Sequence, residues 1–298
     1  WFEGRGGVRL RALTAPALGG GPPRGAMIVA PGRTEFIEKY FEVIRELQAR
    51  GFVVFCIDWR GQGLSGRETS NPMKGHLNTF DDPVNDLATA LRLVGDKLPR
   101  PHIVLAHSMG GCIALRALQT RRLEVEAAAF TSPMWGILHL GPSTKTFVRF
   151  MHSIGAGTMF APGLPTRWKR ESFKRNEVTH DRMRHTRAQD LMAEEPSLAI
   201  ASPTIGWLNA AIDATEGFFQ PNAIAHLLRL PVLVFTAGQE TLVDNASHDE
   251  VVDLLANAKH LKFENAKHEI LQETDDIRAQ FWAAFDPFVD AVAPRRAA

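Results

Sequence analysis

The sequence predicts an α/β fold, with a mainly parallel central sheet, helices on both faces and an inserted helical cap. Three observations predict it. Short apolar, β-rich runs alternate with helical patterns up to residue 131 and resume near Pro231, which is the signature of strands linked by helical crossovers. Between Pro133 and about Leu228 that alternation stops. One strand also runs straight into a helix with a lone serine at the corner, Ile103-Val104-Leu105-Ala106-His107-Ser108-Met109-Gly110-Gly111.

An N-terminal strand around Val8 to Leu13 comes first. It is followed by a strand over 26–30, a helix over 36–50, a strand over 52–57, a helix over 80–97, a strand over 102–106, a helix over 108–120 and a strand over 127–131. Prolines then recur at 133, 142, 162, 165, 196, 203 and 221 among helix-like stretches without a convincing strand. The strand pattern returns at 230–236, followed by a helix over 247–256, a short strand over 259–264 and a closing helix. The expected organisation is a core of 1–132 and 229–298, with a helical cap of 133–228 inserted between two core strands.

A chain of 298 residues is long enough for one large core plus such an insertion. Its 45% hydrophobic and 22% charged content is ordinary for a globular protein, and nothing in it signals disorder. The chain has no run of eighteen apolar residues, so no membrane span is expected. Two cysteines, Cys56 in an apolar strand and Cys112 in the helix after the corner, read as small buried hydrophobes rather than as a disulfide framework or metal ligands. A cytoplasmic location fits that usage; the chain begins at Trp1 without methionine, which leaves room for a removed signal peptide.

The serine corner reads as a nucleophile elbow, in which residues two before and two after the serine must be small for strand and helix to pass closely. Ala106 and Gly110 meet that demand, although glycine is usual at both places. A serine hydroxyl needs a base to take its proton and an acid to orient that base. In the chain order Ser, acid, His, the strand ending at Thr236 leads to Glu240, and the strand at 259–264 leads to His268. Asp244 rivals Glu240, but Asp244-Asn245-Ala246-Ser247 also has the look of a helix start. Two backbone donors must hold the oxyanion. The expected pair is the amide of Met109 at a helix N-terminus and that of Arg33, just after Gly32 in the loop following strand 26–30.

Four motifs in order, Pro31-Gly32-Arg33-Thr34-Glu35, Asp58 to Arg67, His107 to Gly111, and Glu240 to Asn245 with His268 to Leu271, resemble the α/β-hydrolase superfamily, in its lysophospholipase and monoacylglycerol lipase branch. Asn176 to Asp181 and Ser202 to Leu208 also resemble the insert of bacterial lysophospholipases. The resemblance spans essentially the whole chain. It implies a serine esterase with Ser108, Glu240 and His268 as triad, no metal and no organic cofactor. Pro31 stands where many relatives have histidine, but the backbone donor survives. The glycine-rich loop 58–66 lacks the lysine and spacing of a phosphate-binding loop, so Asp58 and Arg60 are expected to brace the loops beside the elbow.

The cap is where substrate choice is expected. Trp135, Trp168 and Trp207, with Met134, Met151, Met159, Met183 and Met192, suit an acyl-chain tunnel, and Met134, Trp135 and Trp207 are the expected substrate contacts. From Thr166 to Arg187, eight Lys or Arg stand against three acidic residues, which points to peripheral contact of 166–187 with an anionic membrane surface. No nucleic-acid partner is expected. The expected reaction is hydrolysis of the carboxylic ester of a lysophospholipid or monoacylglycerol through an acyl-enzyme. Open alternatives are a short-chain carboxylesterase, thioesterase or small peptidase on the same scaffold, and a non-catalytic ligand-binding homologue.

Overall fold

The computed structural model describes residues 1–19 and 21–295. Its strands are β1 (Phe2–Glu3), β2 (Arg9–Ala15), β3 (Gly25–Ala30), β4 (Phe52–Asp58), β5 (His102–His107), β6 (Ala127–Thr131), β7 (Val232–Ala237) and β8 (Ala258–Phe263). They form a single sheet in the order β1-β2-β4-β3-β5-β6-β7-β8, antiparallel at β1 and β2 and parallel from β4 to β8. The α-helices are α1 (Phe41–Ala49), α2 (Asp81–Val94), α3 (Met109–Gln119), α4 (Pro142–Ser153), α5 (Arg182–Glu194), α6 (Ile205–Phe218), α7 (Ala246–Asp253) and α8 (Asp275–Val292).

The inner strands read as unbroken apolar runs because helices cover both sheet faces, and every residue of β3, β4 and β7 is buried. Successive side chains alternate between two cores. Ile28, Phe55, Val104 and Phe130 face α2 and α3. Met27, Val54, Leu105 and Phe235 face α1 and α8.

β3 and β5 are neighbours, and the chain leaves β3 toward β4 but leaves β5 toward β6, so these two connections run in opposite directions across the sheet. A crevice opens outside the carboxyl ends of strands at such a switch point, and ligands settle there. Gly32 and Arg33 follow β3, and Ser108 follows β5, at this crevice.

The predicted helix 36–50 opens instead as a 3-10 turn, Ile37–Tyr40, before α1. The buried Asp58 carboxylate accepts the Ile37 N–H at 2.9 Å and fixes that first turn against the sheet. The predicted helix 80–97 stops at Val94, because Gly95 takes a positive φ of 46°. The predicted helix 247–256 is the shorter α7.

Between β6 and β7 lie α4, α5 and α6 with their connecting loops. Val148 of α4 packs on Ile205 and Ile212 of α6 in a small apolar cluster of their own. A second cluster joins Met192, Leu198 and Ala199 to Phe36 and so fastens this region to the loop after β3. Among the described residues no helix is long and apolar enough to cross a membrane.

Candidate active site

Ser108 sits at φ 50° and ψ −120°, a strained conformation that turns β5 into α3 and lifts the side chain clear of both. The close passage this demands is visible at Gly110, where a Cβ would stand 2.1 Å from the Ala30 carbonyl oxygen. Ala106 is wholly buried within β5, so a methyl group is tolerated on the strand side of the elbow.

His268, in the loop after β8, places Nε2 2.9 Å from Ser108 Oγ and Nδ1 2.7 Å from Glu240 Oε2. An ionised carboxylate only accepts, so Nδ1 donates to Glu240 and Nε2 is left to accept the serine O–H. The other Glu240 oxygen accepts the backbone N–H groups of Thr241 at 3.0 Å, Leu242 at 2.8 Å and Val243 at 3.3 Å. Burial tends to raise the Glu240 carboxyl, but the His268 bond and charge, with the Leu242 and Val243 amides, hold it below its ordinary value. Asp244 instead accepts the Ala246 N–H at 3.1 Å, in the turn that leads into α7.

The neighbouring His107 is kept out of the proton chemistry. Its Nδ1 lies 2.9 Å from the Thr131 carbonyl oxygen, and burial, above all, pushes it down to about 4. It is therefore neutral at pH 7, and a ring 4.8 Å from that of His268 adds no opposing charge.

The Met109 N–H begins α3 and has no intrahelical acceptor. Among the described residues the Arg33 N–H has no hydrogen-bond partner either. Three groups hold the loop that presents Arg33: Trp59 Nε1 donates to the Pro31 carbonyl at 2.7 Å, Gln62 Nε2 to the Gly32 carbonyl at 2.7 Å, and the Gly32 N–H to Glu35. The 58–66 loop is pinned in turn, with Asp58 accepting from Arg11 Nε at 2.7 Å and the Leu64 N–H at 2.8 Å, and Arg60 forking onto Asp86 at 2.6 and 2.8 Å.

Glu35 and Glu269 stand within the sequence motifs without an evident task. The structure joins both through Lys39, whose Nζ lies 3.0 Å from Glu35 and 2.5 Å from Glu269. The oxyanion loop and the histidine loop are thereby tied by one buried cation. Burial tends to raise Glu35, yet Lys39 first, then His107, Tyr40 and the Gly32 N–H, bring it down to about 2. The only sequence signal was i, i+4 spacing between Glu35 and Lys39; the Glu269 half of the network spans 230 residues.

Lys39→Met would leave two buried carboxylates facing each other. We expect a loss of about 3–5 kcal/mol at pH 7, measured by urea unfolding. The deficit should shrink as pH falls through the carboxyl range. In the variant Glu35 loses the cation that depressed its pKa, so it takes up a proton at higher pH and sheds its uncompensated charge. A deficit independent of pH would show that Lys39 acts by packing alone.

The segment 176–181 grips the histidine loop. Val178 accepts the Glu269 N–H at 2.8 Å, Lys267 Nζ donates to the Asn176 carbonyl at 3.0 Å, and Thr179 Oγ1 donates to the Gln272 carbonyl at 2.7 Å. Ser108 and His268 open into a cavity of about 710 Å³ whose wall is mostly apolar, with Ile137, Leu140, Phe147, Val148, Leu208 and Leu242 prominent. Met134 and Trp207, which the sequence offers as substrate contacts, are among the residues that line it.

Trp135 does not, and its assignment as a substrate contact is corrected. It is fully buried, edge-on to Phe130 and His248 with Nε1 donating to the Gly111 carbonyl at 3.3 Å, because the chain turns inward directly after β6. The methionine tunnel is corrected too. Met192 packs under α5, Met151 on α4 and α6, Met183 is 82% exposed, and aliphatic and phenyl groups supply the wall. Among the described residues no cluster of three or more His, Cys, Asp or Glu is placed to hold a metal ion.

Residues 21–275 match the family described as serine aminopeptidase, S33. Lysophospholipase L2 of Escherichia coli strain K12 is 36% identical over 270 residues, covering 85% of this chain and 76% of that protein. The monoacylglycerol lipase of Mycolicibacterium smegmatis is 27% identical over 278 residues, covering 92% and 91%. Among solved structures, a soluble variant of the monoglyceride lipase of Saccharomyces cerevisiae superposes with a TM-score of 0.75 at 16% identity, covering 98% of this chain and 95% of that one, which shows a shared fold. This chain belongs to the α/β-hydrolase superfamily, to the serine aminopeptidase S33 family within it, and to that family's lysophospholipase and monoacylglycerol lipase branch.

Proposed function

We propose that this protein hydrolyses the carboxylic ester of single-chain lipids, a lysophospholipid or a monoacylglycerol, through an acyl-enzyme. The observation that carries the reading is the hydrogen-bonded chain Ser108–His268–Glu240 opening into a cavity of about 710 Å³ with a mostly apolar wall. Ser108 Oγ attacks the ester carbonyl as His268 Nε2 takes its proton; Glu240 keeps the imidazole in that tautomer and offsets its charge. The Arg33 and Met109 amides hold the oxyanion. His268 then protonates the leaving alcohol oxygen, which departs as the free glycerol derivative. Water enters, gives a proton to His268 and cleaves the acyl-serine, releasing the fatty acid and restoring Ser108.

An aminopeptidase must meet a free substrate amine with an unpaired carboxylate. The carboxylates on this cavity wall, Glu35 and Glu269, are both already held by Lys39, so the wall favours a neutral acyl chain. The test is fatty-acid release from a lysophospholipid and a monoacylglycerol against hydrolysis of a short p-nitrophenyl ester. Higher kcat/KM on the long-chain lipids supports the reading, and turnover of the short ester alone replaces it with a general carboxylesterase.

The helical region 133–228 acts in this reading as the cap that selects substrate and meets the lipid surface. Phe147 and Leu164, 46% and 47% exposed, both border the cavity and mark its mouth. Phe150 and Ile154 continue that exposed stripe along α4. In the basic segment, Arg170 pairs with Asp190, and Arg184 and Arg187 with Glu42. Among the described residues Arg167, Lys169, Lys174, Arg175 and Arg182 are exposed with no carboxylate partner. We expect binding to vesicles containing phosphatidylglycerol, measured by co-sedimentation, to weaken as salt rises, and replacing those five cations by glutamine to abolish the salt dependence. Binding that ignores both salt and the substitutions would assign docking to the apolar stripe alone.

A further inference from the structure

The reaction derived above uses only the backbone amide of Arg33, yet the side chain presents an electrostatic problem of its own. Its guanidinium lies over the Trp207 ring, 5.3 Å from the centroid, and Nη2 donates to the Ala201 carbonyl at 2.7 Å. Nε is buried and has no hydrogen-bond partner among the described residues. Burial, unopposed by any carboxylate, pulls the group down to about 10, so it is still a cation at pH 7. Among the described residues Arg33 is the one Lys or Arg on the cavity wall, and the two carboxylates of that wall are held by Lys39.

A half-buried cation with an enclosed Nε and no counter-ion is costly, and the cost falls when an anion enters. The planar fork of a guanidinium matches a phosphate in particular. Position narrows the anion further. The Arg33 amide faces the ester carbonyl in the proposed reaction, so the anion must lie within one arginine side chain of that ester. A phosphodiester on the glycerol of a 1-acyl lysophospholipid stands at about that remove, whereas the carboxylate of a released fatty acid would sit at the ester position itself.

We propose that the Arg33 side chain binds the headgroup phosphodiester of a single-chain phospholipid and so sets the preference for lysophospholipid over monoacylglycerol. This rests on the lipid-ester reading above. Arg33 is in this role a specificity-determining residue. The stacking on Trp207 and the bond to Ala201 keep the fork oriented from the cap side, and Nη1, which has no partner among the described residues and is not enclosed as Nε is, remains for a phosphate oxygen.

The test is the ratio of kcat/KM on 1-palmitoyl lysophosphatidylcholine to that on 1-palmitoylglycerol. Arg33→Met should lower the ratio roughly 10- to 100-fold, the span of a charged hydrogen bond, chiefly through KM on the phospholipid; Arg33→Lys should restore part of it. A ratio unchanged in Arg33→Met, with both substrates falling together or neither falling, overturns the proposal and makes the side chain a strap between loop and cap. Should the variants fail to fold, wild-type inhibition decides. The non-hydrolysable 1-O-hexadecyl lysophosphatidylcholine should inhibit at least about 10-fold more strongly than 1-O-hexadecylglycerol, with the advantage shrinking as salt rises. Equal inhibition overturns the proposal, and inhibition by inorganic phosphate as strong as by the ether phospholipid overturns its headgroup source. A wild type that cleaves neither lipid overturns the lipid-ester reading as well; one that cleaves both with a ratio indifferent to Arg33 overturns this inference alone.

Discussion

Ser108→Ala is expected to lower kcat on a single-chain lipid ester by about 10⁶-fold while leaving the protein folded. Among the described residues the hydroxyl is the one group on the cavity wall with a base at 2.9 Å and an acid behind that base. Removing Oγ leaves no atom to carry the acyl group. The two free amides at Arg33 and Met109 and the apolar wall remain, so a residual rate of about 10³–10⁴ over water should persist. KM should change little, because the side chain lost is small and sits at the reacting carbon rather than along the acyl chain. Fatty-acid release measured with a sensitivity of about one part in 10⁷ checks this. A variant retaining a tenth of wild-type activity would exclude Ser108 as nucleophile.

Glu240→Gln should cost about 10⁴ in kcat. The local geometry explains why so small a change acts so strongly. The amide N–H groups of Thr241, Leu242 and Val243 all point at one carboxylate oxygen, and only the oxygen of a glutamine side chain can accept them. The glutamine NH₂ must then face His268 Nδ1, which forces that nitrogen to accept and puts the proton on Nε2. The base is left with no lone pair toward Ser108. The same carboxyl is held below its ordinary value in the fold, so in the wild type it contributes stability above the ordinary carboxyl range that is lost as pH falls through the depressed value. Gln should remove that part of the acid sensitivity. Asp244→Asn, which touches only the start of α7, should keep wild-type turnover within about twofold. Equal losses at 240 and 244 would contradict the assignment.

The parts of this site that were legible in the sequence are those fixed by local rules. Ser108 announced itself because an elbow needs an apolar strand before it and small residues around it, and Ala106 and Gly110 are both in the immediate neighbourhood. Glu240 and His268 were readable because each follows a strand end: β7 declares itself by an apolar run that burial on both faces makes necessary, and the exposed edge strand β8 by a short β-rich run after it. Even Asp244 behaved as its Asx-rich surroundings implied. What the sequence hid depends on which distant loops meet. Lys39 joins the nearby Glu35 to Glu269, which lies 230 residues further along the chain than the lysine, and no periodicity encodes that meeting. Trp135 was misread for the same reason: counted with the cap by chain position, it belongs to the core because the backbone folds inward after β6. The unpaired Nε of Arg33 is invisible until Trp207 and Ala201 close around it.

The central claim is that Ser108 carries the acyl group of a single-chain lipid. Mixing the protein with 1-palmitoyl lysophosphatidylcholine, quenching in acid within the first turnovers and mapping peptides by mass spectrometry tests it. The account predicts a palmitoyl adduct on the peptide containing Ser108, accumulating further in His268→Gln if deacylation is slowed more than acylation, and absent in Ser108→Ala. Fatty-acid release at the full wild-type rate by Ser108→Ala, or an adduct confined to another residue, would contradict it.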